Sequence, residues 1–258
     1  MAVKEGDQQG GTESVAAARR AVNRAWRFTV DGLRELTHLS AARHCLLCAG
    51  RGMQRVCASC RNDLPWNREA CTQCARPLAD GAGPLCGACA RRTPPFEAAI
   101  AAFRYAAPVD QAVQRLKYNA DFLAARWLGE ALADAVRAAD HPPPDLLLPV
   151  PLHSGRLRKR GYNQALELAR VLSKQLKIPL QPQLVRRQRA TEDQIGKTAL
   201  ERRRNVRKAF TVSAEVKGQR VALIDDVMTT GSTLAELARA CRKAGAASVV
   251  VWTVARAG

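Results

Sequence analysis

The stretch V-A-L-I-D-D-V-M-T-T-G-S-T, Val221 to Thr233, decides the fold. Its first four residues are apolar and largely of the β type, so Val221 to Ile224 read as a buried strand. Two acids, Asp225 and Asp226, stand where that strand ends. A loop rich in hydroxyls and glycine follows, and then a helical run from Leu234 to Ala244 that Gly245 stops. A strand, a polar loop and a helix N-terminus make a phosphate site. The loop offers free backbone N–H groups, the helix dipole favours an anion, and Gly231 lets the backbone come close. Met228, Thr229, Thr230, Gly231, Ser232 and Thr233 are therefore the candidate phosphate-binding residues. The two carboxylates suit a different task, accepting hydrogen bonds from neighbouring sugar hydroxyls. The ligand so implied is a ribose carrying a 5′-phosphate.

The thirteen residues resemble the signature of the type I phosphoribosyltransferases, which bind phosphoribosyl pyrophosphate (PRPP). The resemblance implies that Asp225 and Asp226 hold the ribose 2′- and 3′-hydroxyls while Thr229 to Thr233 wrap the 5′-phosphate. Purine-salvage members carry an acid, as general base, where this chain has Thr229. That departure speaks against a purine acceptor handled in the same way.

With 258 residues the chain can hold one good-sized domain and a small one. No apolar run approaches the ~20 residues needed to cross a bilayer, so no membrane span is expected. The N-terminus mixes Lys4, Glu5, Asp7 and Glu13 and lacks the pattern of a secretion signal, so a cytoplasmic protein is expected. The net charge of +18 is unevenly placed, for 16 Lys/Arg face only 4 Asp/Glu between Arg156 and Lys208. Such a field draws polyanions, a pyrophosphate or a nucleic-acid backbone. Arginine-rich solvated surface would give the same composition.

Eight of the nine cysteines form four C-x-x-C pairs, namely Cys45/Cys48, Cys57/Cys60, Cys71/Cys74 and Cys86/Cys89. Two residues between thiolates let both sulfurs face one ion, and two such knuckles complete a tetrahedral S₄ site. Two structural zinc ions are expected, each contributing roughly 10–16 kcal/mol to folding. Disulfides do not suit a cytoplasmic chain, and redox catalysis needs one reactive pair, not four in a row. An iron–sulfur cluster stays open. Sequential and interleaved pairing both fit the spacing, and sequential pairing is the expectation. His44, beside Cys45, is superfluous as a ligand where four cysteines serve, and Cys241 reads as a packed core thiol.

Along the chain, residues 1–40 form an N-terminal extension, its first ~14 residues polar enough for disorder. Val22, Trp26, Val30 and Leu33 set a helix within Val15 to Leu39. Residues 41–92 hold the zinc ribbons and 96–258 the main domain, with strands at Phe96 to Tyr105 and Asp145 to Val150 and helices from Pro108 to Tyr118 and Phe122 to Ala138. Asn163 caps a helix from Gln164 to Lys177, and Ser248 to Val254 supplies a last strand. The alternation predicts an α/β fold with a mainly parallel sheet and helices on both faces. A basic loop, Leu152 to Gln164, should meet Asp225 beyond the strand ends, with Arg156 and Arg160 as pyrophosphate ligands and at least half of its basic side chains facing water. Arg187 to Arg207 reads either as a flap closing over substrate or as a nucleic-acid-binding arm. Only Trp252 and Tyr162 lie near the basic regions as aromatic partners for a base.

Paired cysteine knuckles, L-K-Y at 116–118, P-V-P-L-H at 149–153, R-G-Y-N-Q at 160–164, T-x-x-Q at 191–194 and the terminal loop occur in this order. Together they resemble the ComF family over residues 44 to 256. That resemblance implies a double zinc ribbon joined to a phosphoribosyltransferase domain, Mg²⁺ with PRPP, and a link to single-stranded DNA uptake with its competence-machinery proteins. Three functions follow as expectations. The first is a PRPP-dependent transferase whose acceptor the sequence leaves open. The second is a non-catalytic single-stranded DNA-binding competence factor, and the third a PRPP-sensing regulatory protein. No G-x-x-x-x-G-K-[ST] is present, which argues against a nucleotide-driven motor.

Overall fold

A computed structural model describes residues 44–52, 54–139, 141–188 and 209–258. The N-terminal extension, its helix and most of the Arg187 to Arg207 segment lie outside the described residues. The chain divides into two compact units at Arg61/Asn62, and each holds one four-cysteine set. Within the first, α1 (Ala58–Asn62) follows the second knuckle.

The second unit opens with a ribbon that ends in α2 (Gly87–Arg91). It continues through β1 (Ala98–Arg104), α3 (Val109–Tyr118), α4 (Phe122–Ala138), β2 (Leu146–Pro149), α5 (Ser154–Arg160) and α6 (Gln164–Leu176). A short hairpin, β3 (Val185–Arg187) and β4 (Phe210–Val212), precedes β5 (Arg220–Met228), α7 (Ser232–Lys243) and β6 (Ser248–Arg256). Four strands pair in the order β1-β6-β5-β2, all parallel. Parallel sheets need cover on both faces, and the register shows how it is given. Leu148, Leu223, Val251 and Ala99 lie in one row, and they share a core with Leu234, Leu237, Ala238 and Cys241 of α7. Leu147, Ala222 and Ile224 alternate to the other face, where α6 packs on β2 and β5, α4 packs on β1 and β6, and the two helices pack on each other. Gly129 makes that approach possible, because a Cβ there would stand 2.8 Å from Val171 Cβ.

Cys241 is buried, as its place on the apolar face of α7 implies. The segment expected as a basic loop after β2 is largely helix, α5. His153 Nδ1 accepts from Gly155 N at 3.2 Å at its start, and Gly161, at φ +81°, closes it in the left-handed region. The acids expected past the end of a four-residue strand sit inside a nine-residue one, since β5 pairs with β6 out to Met228. The exposed edge of β1 is covered by the second ribbon. Asn67 N donates to Ala102 O, Arg104 N to Pro65 O and Ala99 N to Thr72 O. Backbone groups that would otherwise invite another chain are so used up. No helix among the described residues is long and apolar enough to cross a membrane.

Candidate ligand-binding site and zinc centres

Helix α6 after β2 and helix α7 after β5 lie on opposite faces of the sheet. Neighbouring strands whose connections part in this way leave a crevice at their carboxyl ends, the usual ligand position in open α/β sheets. Asp225 and Asp226 stand at that end of β5, and Val150 N donates to Ile224 O at 2.9 Å, which brings the start of the 151–162 segment alongside. Each of the two carboxylates accepts the next backbone N–H, Asp226 N to Asp225 Oδ1 at 2.9 Å and Val227 N to Asp226 Oδ1 at 2.7 Å.

Asp226 is only 4% exposed, and a buried carboxylate needs a partner. Lys117, from the last turn of α3, supplies it, with Nζ 3.1 Å from Asp226 Oδ2. Burial would lower the Lys117 pKa, but the Asp226 charge and hydrogen bond outweigh it and hold the ammonium above its ordinary range. Among the described residues Asp225 has no such ion pair. Burial first, and the Asp226 charge second, push it up to about 7, against smaller opposing effects of the Asp226 backbone hydrogen bond, Lys117 and Arg187 of β3. Asp226 is therefore the acid paired with a lysine, and Asp225 the one poised to exchange a proton near neutrality.

Beyond the acids the chain turns sharply. Met228 is buried, Thr229 and Thr230 are exposed, and Gly231 adopts φ +71° as the residue before α7. Thr230 Oγ1 lies 3.0 Å from Ser232 Oγ and accepts from Ser232 N at 3.4 Å, while Thr233 sits in the first turn. Gly231 offers no side-chain cap to α7. A loop of this shape presents backbone N–H groups and hydroxyls to an anion.

The other predicted half lies on α5. Arg156 and Arg160 are half-buried, and Arg158 and Lys159 face water. Arg160 donates to Gln164 Oε1 at 2.6 Å and stands 5.6 Å over the Tyr118 ring. Tyr162 ties the two motifs together, because its hydroxyl donates to Leu116 O and accepts from Ala120 N at 3.2 Å. Its ring meets Phe122 edge-on. R-G-Y-N-Q thus braces the L-K-Y turn that carries Lys117. Trp252, considered above as a base-stacking partner, is buried in β6, and Tyr162 is spent on that brace. Among the described residues the large exposed aromatic is Tyr118, at 75%. Lys117 and Arg187 were missed as site residues, although L-K-Y and the basic run contain them. Nothing in local spacing shows that they approach residues more than thirty positions away.

Each four-cysteine set is sequential. Cys45, Cys48, Cys57 and Cys60 form one, and Cys71, Cys74, Cys86 and Cys89 the other, with the sulfurs of each within 4.8 Å of one another. Tetrahedral zinc with Zn–S near 2.3 Å requires sulfurs about 3.8 Å apart. Cys48 and Cys57 are 3.9 Å apart, and Cys74 and Cys86 3.7 Å. Ala49 and Ala75 follow the second cysteine of a knuckle in the left-handed region. Burial would raise the Cys45 thiol, but N–H groups of Cys48, Cys57 and Leu47 bring it down to about 6. These sets fit structural zinc, and His44 belongs to neither.

The sheet, the acid pair and the glycine loop, joined to two thiolate knuckles, define a phosphoribosyltransferase domain carried with a double zinc ribbon. Family matches agree, with "Phosphoribosyl transferase domain" over residues 162–258 and "Double zinc ribbon domain" over 37–98. The chain is 35% identical to Competence protein F of Haemophilus influenzae over 223 residues, covering 83% of this chain and 96% of that one. It is 34% identical to DNA utilization protein YhgH of Escherichia coli K12, covering 82% of this chain and 96% of that one. The chain belongs to the ComF family, that of Competence protein F and YhgH. Among solved structures it resembles glutamine phosphoribosylpyrophosphate amidotransferase from B. subtilis at 22% identity and a TM-score of 0.34, covering 49% of this chain and 25% of that chain.

Proposed function

We propose that this protein binds PRPP with Mg²⁺ and acts as a phosphoribosyltransferase in DNA uptake or nucleotide handling. The observation that carries the reading is the acid pair at the carboxyl end of β5, two residues before the loop that Gly231 turns into α7. Asp225 and Asp226 would accept from the ribose hydroxyls. The loop 228–233 would hold the 5′-phosphate as a handle whose binding energy fixes the reacting carbon. Pyrophosphate would leave C1 toward Arg156 and Arg160, and Mg²⁺, when bound, would neutralise part of its charge. Lys117 would hold the Asp226 carboxylate in place as an acceptor. The relatives' names, competence and DNA utilization, support the cellular setting.

A second reading has its own observation. Arg160 over the exposed Tyr118, next to Arg158 and Lys159, offers a base a stacking face beside phosphate-binding charge. Single-stranded DNA held there would bind with a steep salt dependence.

Calorimetric titration of the zinc-loaded protein with PRPP and Mg²⁺ tests the first reading, with Asp225→Ala/Asp226→Ala as control. Saturable binding lost in the double variant is expected. Equal affinity in the two proteins sinks the assignment.

A further inference from the structure

Arg256 ends β6 and is only 3% exposed, yet it is charged. A charge buried this deeply must be compensated by the groups around it. Compensation comes from two directions. Nε donates to Cys74 O at 3.0 Å, on the second zinc knuckle. Nη1 donates to Met228 O at 3.1 Å, to Thr229 O and to Ala257 O. One guanidinium thus grips the carbonyl of a metal ligand and the two carbonyls from which the phosphate loop departs. Ala257 N completes the clamp by donating to Met228 O at 3.0 Å. Cys74 and the other thiolates of its set lie beside this guanidinium. Four thiolates around one divalent ion carry net negative charge, so a loaded knuckle is a natural counter-ion for it.

We propose that Arg256 is a positioning residue that couples zinc at Cys71/Cys74/Cys86/Cys89 to the conformation of the phosphate loop. Its ligand arm rests on the PRPP reading above, while its metal arm does not. The fork geometry explains why arginine stands here. A lysine could satisfy one carbonyl cluster but could not span from Cys74 to Thr229. When the second four-cysteine set loses its ion, Cys74 O is no longer fixed. The guanidinium then loses one of its two anchors, and Met228 and Thr229 lose the donor that fixes their peptide planes. Gly231 lies two residues further on, so a shift at Thr229 moves the turn that aims the loop's N–H groups. All of these contacts lie within the second compact unit.

Hydrogen exchange on the ligand-free full chain tests the metal arm. Cys74→Ala, which removes the second ion, is expected to raise exchange in the peptide spanning 227–234 about tenfold, as one local contact network is released. Cys48→Ala, which removes the first ion, should leave that peptide unchanged. Arg256→Met should reproduce the Cys74→Ala exchange while native mass spectrometry still counts two zinc ions. That variant keeps the test decisive should Cys74→Ala unfold. Protection at 227–234 that Arg256→Met does not alter overturns the proposal. Titration with PRPP and Mg²⁺ is the ligand arm, where Arg256→Met should weaken binding about tenfold. If the unsubstituted protein binds no PRPP but the exchange pattern holds, the ligand reading fails and the coupling stands. If it binds PRPP and Arg256→Met binds equally well, the coupling fails and the ligand reading stands.

Discussion

Replacing Asp225 by Asn should make the ligand-free protein more stable above neutrality and useless as a ribose binder. The reason is the proton that the folded site holds. An ordinary aspartate titrates at 3.8, and in this crevice burial, then the Asp226 charge, push Asp225 up to about 7. The folded state therefore binds this proton more tightly than the unfolded chain does. Its contribution to stability is full below the unfolded pKa and is lost as pH rises from about 4 through 7. Three pH units correspond to about 4 kcal/mol by linkage, and sharing of the charge with Asp226, Lys117 and Arg187 lowers the realistic figure to about 2 kcal/mol. Asn keeps the shape and hydrogen-bonding capacity but carries no charge to desolvate. At about 2–4 °C per kcal/mol for a unit of this size, Asp225→Asn should melt about 4–8 °C higher than the unsubstituted protein at pH 8. The gap should close toward pH 5. Urea unfolding of both zinc-loaded proteins at pH 5, 6, 7 and 8 measures it, and zinc chemistry common to both cancels in the difference. A gap that stays constant over that range would falsify the assignment of the proton to Asp225.

Three further outcomes follow from contacts described above. Lys117→Met strips the buried Asp226 carboxylate of its cation and should cost about 2 kcal/mol at pH 8, less than a fully buried pair because Lys117 itself is partly exposed. Lys117 also pulls the Asp225 pKa down, so in Lys117→Met the Asp225 carboxyl should take up its proton at higher pH, and an unchanged carboxyl titration in the variant would contradict the contact. Gly129→Ala places a Cβ 2.8 Å from Val171 Cβ. Overpacking of about 1–3 kcal/mol should exceed the roughly 1 kcal/mol gained in helix propensity. The double variant with Val171→Ala should recover part of the loss in thermal melts, and strict additivity of the two changes would contradict the contact. Dialysis against a strong chelator should remove two zinc ions per chain and lower the melting temperature of the second unit, because the edge of β1 is covered by the ribbon those thiolates hold. Unchanged melting after metal loss would mean that the ribbon holds its shape alone.

What could be read from the residues was what lies close along the chain. C-x-x-C spacing shows all four knuckles because the two cysteines of each are only three positions apart. The acid pair and Gly231 were legible for the same reason, since strand, loop and helix follow within thirteen residues. Sequential pairing needed the fold, because spacing alone satisfies both arrangements. Helix α5 was hidden by its composition. S-G-R-L-R-K-R has no apolar face, and it forms through its two ends, His153 and Gly161. The hairpin β3–β4 is three residues a side, too short for a period of two to show. Lys117, Arg187 and Arg256 escaped notice as site residues for another reason. Each is a basic residue in a basic chain, and only the sheet order brings it to the end of β5. Their importance comes from being buried or paired, which a count of charges does not reveal.

The central claim, that the end of β5 and its loop form a PRPP site, is tested most directly by a crystal structure of the protein soaked with PRPP and Mg²⁺. Density for the 5′-phosphate against Thr229 to Thr233, with the ribose hydroxyls on Asp225 and Asp226, is the expected result. Density on α5 beside Tyr118 alone, or an empty crevice at saturating PRPP, would contradict it.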